Sequence, residues 1–179
     1  MKELAVTGEG LFAFVKESNR IEGIHRVTAN EVSATEIFLS KDKMSLEAIY
    51  AVQSTYAPNK PIRYRLGMNV RVGNYVAPMG GRNIKIEMMH IVDKLNKAKL
   101  GIHDNPWKIH VEFEHLHPFM DGNGRTGRAI WAWHMLKLGM YPFALPFLQR
   151  FYYQTLENDV DRHATVRHTT EQGKKGERG

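Results

Sequence analysis

The twelve residues from 117 to 128 read His117-Pro118-Phe119-Met120-Asp121-Gly122-Asn123-Gly124-Arg125-Thr126-Gly127-Arg128. Two glycines enclose Asn123 just before an expected helix, and glycine permits positive backbone dihedral angles. Successive amide N–H groups can therefore turn toward one point. The same point lies at a helix N-terminus, where unpaired N–H groups and the helix dipole favour an anion. The segment therefore predicts a loop that binds a phosphate group.

Side chains of the same segment supply the other parts of a phosphoryl-transfer site. Arg125 and Arg128 are three residues apart on the expected helix, so both can reach one anion. Asp121 offers a hard oxygen ligand for Mg²⁺ beside that anion. His117 ends the preceding helix and can act as a general base, and an ordinary pKa of about 6.5 would leave it mostly neutral at pH 7. Each feature alone is more often structural, but together they favour catalysis. Phe119 is the exception and is expected to anchor the loop in the core.

Helical patterns flank this loop on both sides. Capping and periodicity predict helices over residues 9–16, 28–38, 45–56, 84–97, 105–116, 125–139 and 147–157. In the first helix, Leu11, Phe12 and Val15 are expected to share the buried side. Residues 64–76 differ, because Val72 and the following Gly73-Asn74 pair indicate a hairpin or extended flap. The expected fold class is mainly α, a helical bundle with one small β-hairpin.

Composition places the chain among single-domain proteins. Its 179 residues, 42% of them aliphatic or aromatic, can bury a sizeable core. The absence of cysteine excludes disulfides, thiolate metal sites and cysteine nucleophiles. The apolar runs are too short to span a membrane, and the N-terminus lacks a signal-peptide pattern. A cytoplasmic protein is therefore expected.

The net charge of +6 is concentrated at the C-terminus, where residues 162–179 hold five Lys or Arg and two Glu. We expect this basic tail to be solvated and poorly ordered, which leaves a single domain over residues 1–161. No aromatic residues interleave with the charges of the tail, and this argues against nucleic-acid binding.

The segment 117–128 resembles, at every defining position, the signature of the Fic family, H-x-F-x-(D/E)-G-N-G-R-x-x-R. Val72-Gly73-Asn74-Tyr75, with Pro78 following, is similar to the flap of that family, which holds the target segment and borders the nucleotide. Tyr152-Tyr153 is similar to paired tyrosines near the adenine. The resemblance runs over residues 18–159. One departure is visible: an asparagine that often contacts the nucleotide in the family has no clear counterpart after Tyr153.

The resemblance implies a protein adenylyltransferase, which uses ATP and Mg²⁺, with Mn²⁺ as an alternative, to attach AMP to a Tyr, Thr or Ser hydroxyl of a target protein. His117 would deprotonate that hydroxyl, and Asp121 would hold the metal. Backbone N–H groups around Asn123 would stabilise the α-phosphoryl oxygens, while Arg125 and Arg128 would grip the β- and γ-phosphates. The implied nucleotide-binding residues are Val72, Gly73, Asn74, Tyr75, Asp121, Gly122, Asn123, Gly124, Arg125, Thr126, Gly127, Arg128, Tyr152 and Tyr153.

A second motif precedes the first by about a hundred residues, Ser18-Asn19-Arg20-Ile21-Glu22-Gly23. It fits (S/T)-x-x-x-E-(G/N), the pattern of the inhibitory helix in Fic proteins, here expected over residues 9–23. The resemblance makes Ser18, Glu22 and Gly23 inhibitory residues. The Glu22 carboxylate would pair with Arg128 where the γ-phosphate needs to bind. The alternative is a capped helix end in which Gly23 is only the terminator.

Other functions stay open from the sequence. Doc-like protein phosphorylation is disfavoured because that branch typically has Lys in place of Gly124, and removal of AMP is open because Glu22 could position water. An inactive binding module or a toxin-like partner of an antitoxin is a further alternative, and homodimerisation or self-modification would fit the family. A zinc hydrolase is suggested only by a group of residues whose spacing gives no HExxH arrangement, namely His110, Glu112, Glu114, His115 and His117.

Overall fold

The computed structural model describes residues 8–61, 63–67, 70–72, 75–99 and 105–144. Within them the α-helices are α1 (Gly8–Ile21), α2 (Ala29–Leu39), α3 (Leu46–Tyr56), α4 (Arg82–Lys97), α5 (Pro106–Leu116) and α6 (Asn123–Lys137), and a 3-10 turn follows at Pro142–Ala144. Strands β1 (Arg71–Val72) and β2 (Tyr75–Val76) form an antiparallel pair in which Val72 lies opposite Tyr75. The prediction of a mainly α fold with one small hairpin is confirmed. The predicted helix over 147–157 lies outside the described residues.

Side-chain caps begin three helices at the residues that the sequence predicted. Thr28 and Glu31 form a full capping box, since each side chain accepts a hydrogen bond from the other's backbone N–H. The Ser45 hydroxyl accepts from Ala48 N–H at 3.2 Å and opens α3. The Asn105 side chain accepts from Trp107 N–H at 3.0 Å ahead of α5. These caps satisfy N–H groups that have no partner inside a helix.

The first helix is longer than the range 9–16 that periodicity predicts and is close to the range 9–23 that the resemblance implies. Of its three predicted buried residues, Leu11 and Val15 are buried and Phe12 is not. It continues past residue 16 to Ile21, because its second half buries polar side chains that the hydrophobic pattern does not detect. Phe12 is 48% exposed, so its assignment to the buried side is wrong. At about 100° per residue, Phe12 and Phe14 lie equally far from the middle of the Leu11–Val15 face, on opposite sides. The neighbours decide between them, and Phe14 packs against the Phe143 ring with centroids 5.6 Å apart. The helix ends in a Schellman motif, in which Ile24 N–H donates to the Asn19 carbonyl at 2.9 Å.

Helix α6 lies at the centre of the molecule and packs against α1, α2, α3 and α5. It begins at Asn123, ahead of the predicted start near Arg125, because Gly122 adopts a left-handed conformation (φ 75°) and takes the N-cap position. Every residue from Arg125 to Met135 is buried, as expected for a helix with neighbours on all sides. A Cβ at Gly127 would overlap the Glu114 carboxylate, so glycine permits the close approach of α5.

The remaining predicted core positions are also confirmed. Ile84, Met88, Ile91 and Leu95 of α4 are all buried, and so are Ile109, Phe113 and Leu116 of α5. In the part of the chain that the structure describes, no helix is long and apolar enough to cross a membrane.

Candidate active site

The active-site loop starts where α5 ends, at His117. This residue has left-handed backbone angles (φ 45°, ψ 60°), which residues other than glycine adopt only occasionally. The buried Arg65 side chain stabilises the turn, because its Nε donates to the His117 carbonyl at 2.5 Å and its Nη2 donates to the Leu116 carbonyl at 2.9 Å. A cation is favourable at a helix C-terminus, where the last carbonyls lack partners. Arg65 therefore fixes the backbone from which the His117 side chain projects.

The Asn123 side chain holds the loop closed from inside. Its Nδ2 donates to the Phe119 carbonyl at 2.9 Å, and its Oδ1 accepts from the Phe119 N–H at 2.8 Å. The Phe119 ring is buried and stacks on Tyr64 with centroids 5.9 Å apart, which confirms it as a core anchor. Gln53 donates to the Asp121 carbonyl at 3.0 Å. The loop backbone is thus fixed by packing and hydrogen bonds before any ligand binds.

The Asp121 side chain lies at the surface of this fixed loop. It is exposed, and its Oδ1 accepts from the Gly122 N–H at 2.6 Å. That hydrogen bond orients the carboxylate next to the N-terminus of α6. The site therefore combines an oriented carboxylate with the N-terminus of a buried helix.

The pKa of His117 is lowered from its ordinary value. Burial of the imidazole is the largest cause, and the positive charge of Arg65 acts in the same direction. A hydrogen bond with the Glu114 backbone and the charges of Glu22 and Asp121 partly oppose this effect. Because burial disfavours the charged form, His117 is neutral at pH 7 and can accept a proton.

Arg128 binds both polar residues that define the second motif, Ser18 and Glu22. Its guanidinium is fully buried. Nε donates to the Ser18 hydroxyl at 2.8 Å, and Nη2 donates to the Ser18 carbonyl at 2.9 Å and to Glu22 Oε1 at 2.7 Å. The Glu22 side chain is 29% exposed. The structure thus brings together residues 110 and 106 positions apart in sequence, as the predicted pairing of Glu22 with Arg128 requires.

Two glycines allow this pairing. Gly23 has φ 73° and ends α1, so its predicted role as a helix terminator is compatible with the ion pair of its neighbour. A Cβ at Gly124 would overlap Glu22 Oε1 and would lie 3.1 Å from Arg128 Nη1. Gly124 therefore leaves the space that the Glu22 carboxylate occupies.

Arg125, the other arginine of the loop motif, has a different carboxylate partner. Its Nη1 lies 3.5 Å from Glu31 Oε1, and both side chains are more than nine-tenths buried. The guanidinium also lies over the Tyr56 ring, 5.5 Å from the centroid. Glu31 was expected only as a helix-capping residue, and local sequence gives no sign of a partner 94 positions away. The one available signal is general: a buried arginine requires an anionic neighbour.

The other predicted site residues that the structure describes lie in two places, helix α6 and the flap. Thr126 and Gly127 are buried within α6, beneath the loop. Val72 is buried against Ile21 and Val111, while Tyr75 stacks on the His115 ring with centroids 4.3 Å apart. Among the sequence-predicted residues, Gly73, Asn74, Tyr152 and Tyr153 lie outside the described residues.

The candidate zinc ligands do not form a metal site. Across the described ranges, no three His, Cys, Asp or Glu side chains lie close enough to hold a metal ion. His110 is fully buried, and burial lowers its pKa to about 3. Burial also raises the pKa of Glu114 to about 8. Both groups are therefore neutral interior side chains at pH 7.

Comparisons with known proteins relate this chain to one family. Residues 17–135 match the model of the Fic/DOC family. Proteins called protein adenylyltransferase Fic from Drosophila willistoni and Drosophila persimilis are 32% and 33% identical over 104 residues, which is 55% of this chain. The matched part spans only about one fifth of those relatives, 21% and 20% of their lengths.

Solved structures share the fold at low sequence identity. A Fic family protein from Desulfovibrio desulfuricans G20 superposes with a TM-score of 0.64 at 20% identity, over 86% of this chain and 58% of that one. Fic-1 from C. elegans superposes with a TM-score of 0.63 at 23% identity, over 84% of this chain and 56% of that one. Together with the family match, which includes both the loop and the Ser18–Glu22 motif, these similarities lead to one conclusion: the chain belongs to the Fic/DOC family.

Proposed function

We propose that this protein is a protein adenylyltransferase, which transfers AMP from ATP to a hydroxyl group of a target protein and is inhibited by its own Glu22. The observation that carries the proposal is the fixed loop, which places His117, Asp121 and the N-terminus of α6 beside one another. The relatives called protein adenylyltransferase support the same activity.

The N-terminus of α6 is suited to the phosphate groups of ATP. Gly122 occupies the N-cap without a side-chain hydrogen bond, so no side chain of the cap competes with an anion for the first N–H groups. The partial positive charge of the helix end favours the negative charge that develops during phosphoryl transfer. Because the loop is already fixed by Asn123 and Gln53, little reorganisation is required when the nucleotide binds.

His117 is the general base in this proposal. The neutral imidazole accepts the proton of the target hydroxyl while the oxygen attacks the α-phosphorus of ATP. The bond from the α-phosphorus to the bridging oxygen breaks, pyrophosphate leaves, and AMP stays on the target. Arg65 contributes by holding the His117 backbone and by disfavouring the protonated imidazole.

The residues of the loop fit a magnesium ion. Mg²⁺ in phosphoryl-transfer sites commonly uses one or two carboxylates and takes its other ligands from phosphates and water. Asp121 offers one exposed, oriented carboxylate, which matches that requirement without a protein cluster of ligands. When bound, the ion would neutralise charge on the phosphates of ATP.

Inhibition follows from competition for Arg128. The guanidinium donates to Glu22 Oε1 at 2.7 Å, and a γ-phosphate oxygen would need the same donor. Gly124 supports this assignment against Doc-like phosphorylation, because a lysine there would overlap the Glu22 carboxylate. We propose that ATP binds productively only when the Glu22 carboxylate leaves this position.

The target protein would meet the enzyme at the flap. The hydrogen-bonding edge of a short strand pair can add an extended segment by main-chain pairing. The Tyr75 side chain lies on His115, two residues before the proposed base. A target segment paired with this hairpin would therefore place its hydroxyl close to His117.

A direct test uses purified wild type, Glu22→Gly and Glu22→Gly with His117→Ala. Each is incubated with ATP, Mg²⁺ and a cell lysate, and modified peptides are identified by mass spectrometry. The proposal expects peptides that gain the mass of AMP with Glu22→Gly only. A gain equal to one phosphate would indicate a kinase, and the absence of any modified peptide would favour a nucleotide-binding module without transferase activity.

A further inference from the structure

We propose that Glu31 is a positioning residue for Arg125, and that Asn19 couples this carboxylate to the helix that carries Glu22. The inference rests on the proposed function and extends it from one motif arginine to both. In this arrangement the helix pair α1–α2 sets the position of both guanidinium groups that would bind the phosphates of ATP.

The Glu31 carboxylate is held rigidly. Its Oε2 accepts from the Thr28 N–H at 2.8 Å and from the Thr28 hydroxyl at 3.0 Å. Its Oε1 accepts from Asn19 Nδ2 at 3.3 Å and faces Arg125 Nη1 at 3.5 Å. Rotation of this side chain would break the contacts with Thr28, Asn19 and Arg125 together. Glu31 thus differs from Glu22, which stands at a helix end and is partly exposed.

Arg125 is confined between this carboxylate and an aromatic ring. The Tyr56 ring lies on one side of the guanidinium, 5.5 Å from its centre. The Tyr56 hydroxyl contacts the Thr35 hydroxyl at 2.7 Å, and Thr35 donates to the Glu31 carbonyl at 2.6 Å. Burial raises the pKa of Tyr56 to about 12, so the ring stays neutral. Cation–π attraction and the ion pair together hold the planar group in one orientation.

The held arginine faces a cavity that it shares with the proposed metal ligand. Arg125 and Asp121 both line a cavity of about 730 Å³, which Arg26 and Lys60 also line. The Nε of Arg125 is buried and has no hydrogen-bond partner in the part of the chain that the structure describes. The long 3.5 Å contact with Glu31 engages Nη1 only. A phosphate in this cavity would therefore find donors of a guanidinium whose direction Glu31 has already fixed.

Asn19 links the two arginine contacts through α1. Its Nδ2 donates both to Glu31 and, at 2.9 Å, to the Arg26 carbonyl in the connection between α1 and α2. Asn19 follows Ser18, which binds Arg128. A displacement of α1 that separates Glu22 from Arg128 would therefore also move the Asn19 amide away from Glu31.

The test compares nucleotides with different numbers of phosphates. In a Glu22→Gly parent, calorimetry measures the affinity for ATP and for AMP, which lacks the phosphates that Arg125 would contact. Glu31→Gln removes the charge and keeps one acceptor oxygen, which can serve either Thr28 or Asn19 but not both. We expect ATP affinity to fall about three- to tenfold with AMP affinity unchanged, the size typical of coupling between neighbouring groups. Glu36→Gln, at an exposed position of α2, is the matched control and should change neither affinity.

Two further variants distinguish positioning of Arg125 from a general effect on stability. With Arg125→Ala in the parent, Glu31→Gln should have no additional effect on ATP. If Glu31→Gln does not fold, Glu31→Asp withdraws the carboxylate from Arg125 and should give a smaller loss in the same direction. Equal losses for ATP and AMP would assign Glu31 to stability alone, and unchanged or tighter ATP binding would also overturn the inference. A parent that binds ATP but transfers no AMP would refute the proposed function while leaving the affinity comparison valid.

Discussion

Replacement of Glu22 by glycine is expected to raise the rate of AMP transfer by releasing Arg128. The ion pair with Arg128 joins a fully buried guanidinium to a carboxylate that is 29% exposed. Charge-assisted hydrogen bonds of this kind contribute about 1.5–3 kcal/mol. If the inhibited arrangement is favoured by about 2–3 kcal/mol, its removal raises the population that binds ATP productively about 30- to 150-fold, since 1.4 kcal/mol is a factor of ten.

The structure also indicates that the freed arginine keeps its direction. Ser18 accepts hydrogen bonds from Nε and Nη2 of Arg128 through its hydroxyl and its carbonyl. These contacts remain when the Glu22 carboxylate is removed. The γ-phosphate would therefore bind a guanidinium that is already oriented.

The assay measures the initial rate of AMP transfer together with calorimetric ATP affinity. Glu22→Gln, which keeps the shape of the side chain without its charge, should give an intermediate gain. Glu17→Gln removes a partly exposed carboxylate from the same helix, which pairs with Arg20 and with no other cation among the described residues, and should leave the rate unchanged. Glu22→Gly combined with Arg128→Ala should lose the gain. Unchanged or lower transfer by Glu22→Gly would show that the Glu22 carboxylate is not inhibitory.

Four further outcomes are expected in the Glu22→Gly background. His117→Ala should lower the transfer rate by about 10²–10⁴, the usual effect of losing a general base, with ATP affinity retained in calorimetry; retained transfer would remove His117 from that role. The pKa of His117 is lowered and the base acts when deprotonated, so the rate should rise with pH at values below about 6.5, the ordinary histidine pKa. A midpoint of the pH–rate curve above that value would contradict a lowered pKa of His117. Asp121→Asn should abolish the dependence of transfer on Mg²⁺ together with most activity, whereas strong stimulation by Mg²⁺ in this variant would place the metal elsewhere. Tyr75→Ala should weaken target labelling more than ATP affinity. Equal losses in both would contradict a role of the flap in target binding.

The sequence predicts those features of the fold that depend on neighbouring residues. The caps at Thr28, Ser45 and Asn105 all form as expected, because a capping side chain and its backbone partner are at most three residues apart. The stripe of α4 is likewise a local pattern. The loop over 117–128 could be recognised for the same reason, since its glycines, Asn123 and Asp121 act on adjacent backbone.

Features that depend on contacts distant in sequence could not be predicted in this way. Arg65 lies 52 positions before His117, whose carbonyl it binds, and nothing in its local sequence marks it as part of the site. The second half of α1 is polar and therefore lacks a hydrophobic pattern, yet Ser18 and Asn19 are buried because they bind other polar groups. The same reason conceals the role of Glu31, which looks like an ordinary capping residue.

Phe12 illustrates the limit of hydrophobic spacing in a short segment. Leu11, Phe12 and Val15 are all apolar, and only the position of the neighbouring helices decides which of them faces the core. Phe14 is buried and Phe12 is exposed, because the buried face continues from Phe14 toward Ser18 along the helix.

The part of ATP from which the transferred group comes distinguishes AMP transfer from phosphate transfer. Glu22→Gly is incubated with Mg²⁺, lysate and ATP labelled either at the α-phosphorus or at the γ-phosphorus, and protein-bound label is counted after removal of free nucleotide. We expect that α-label enters protein, that γ-label does not, and that His117→Ala abolishes the α-signal. Incorporation of γ-label without α-label would contradict the account, because it would show that this site transfers phosphate and not AMP.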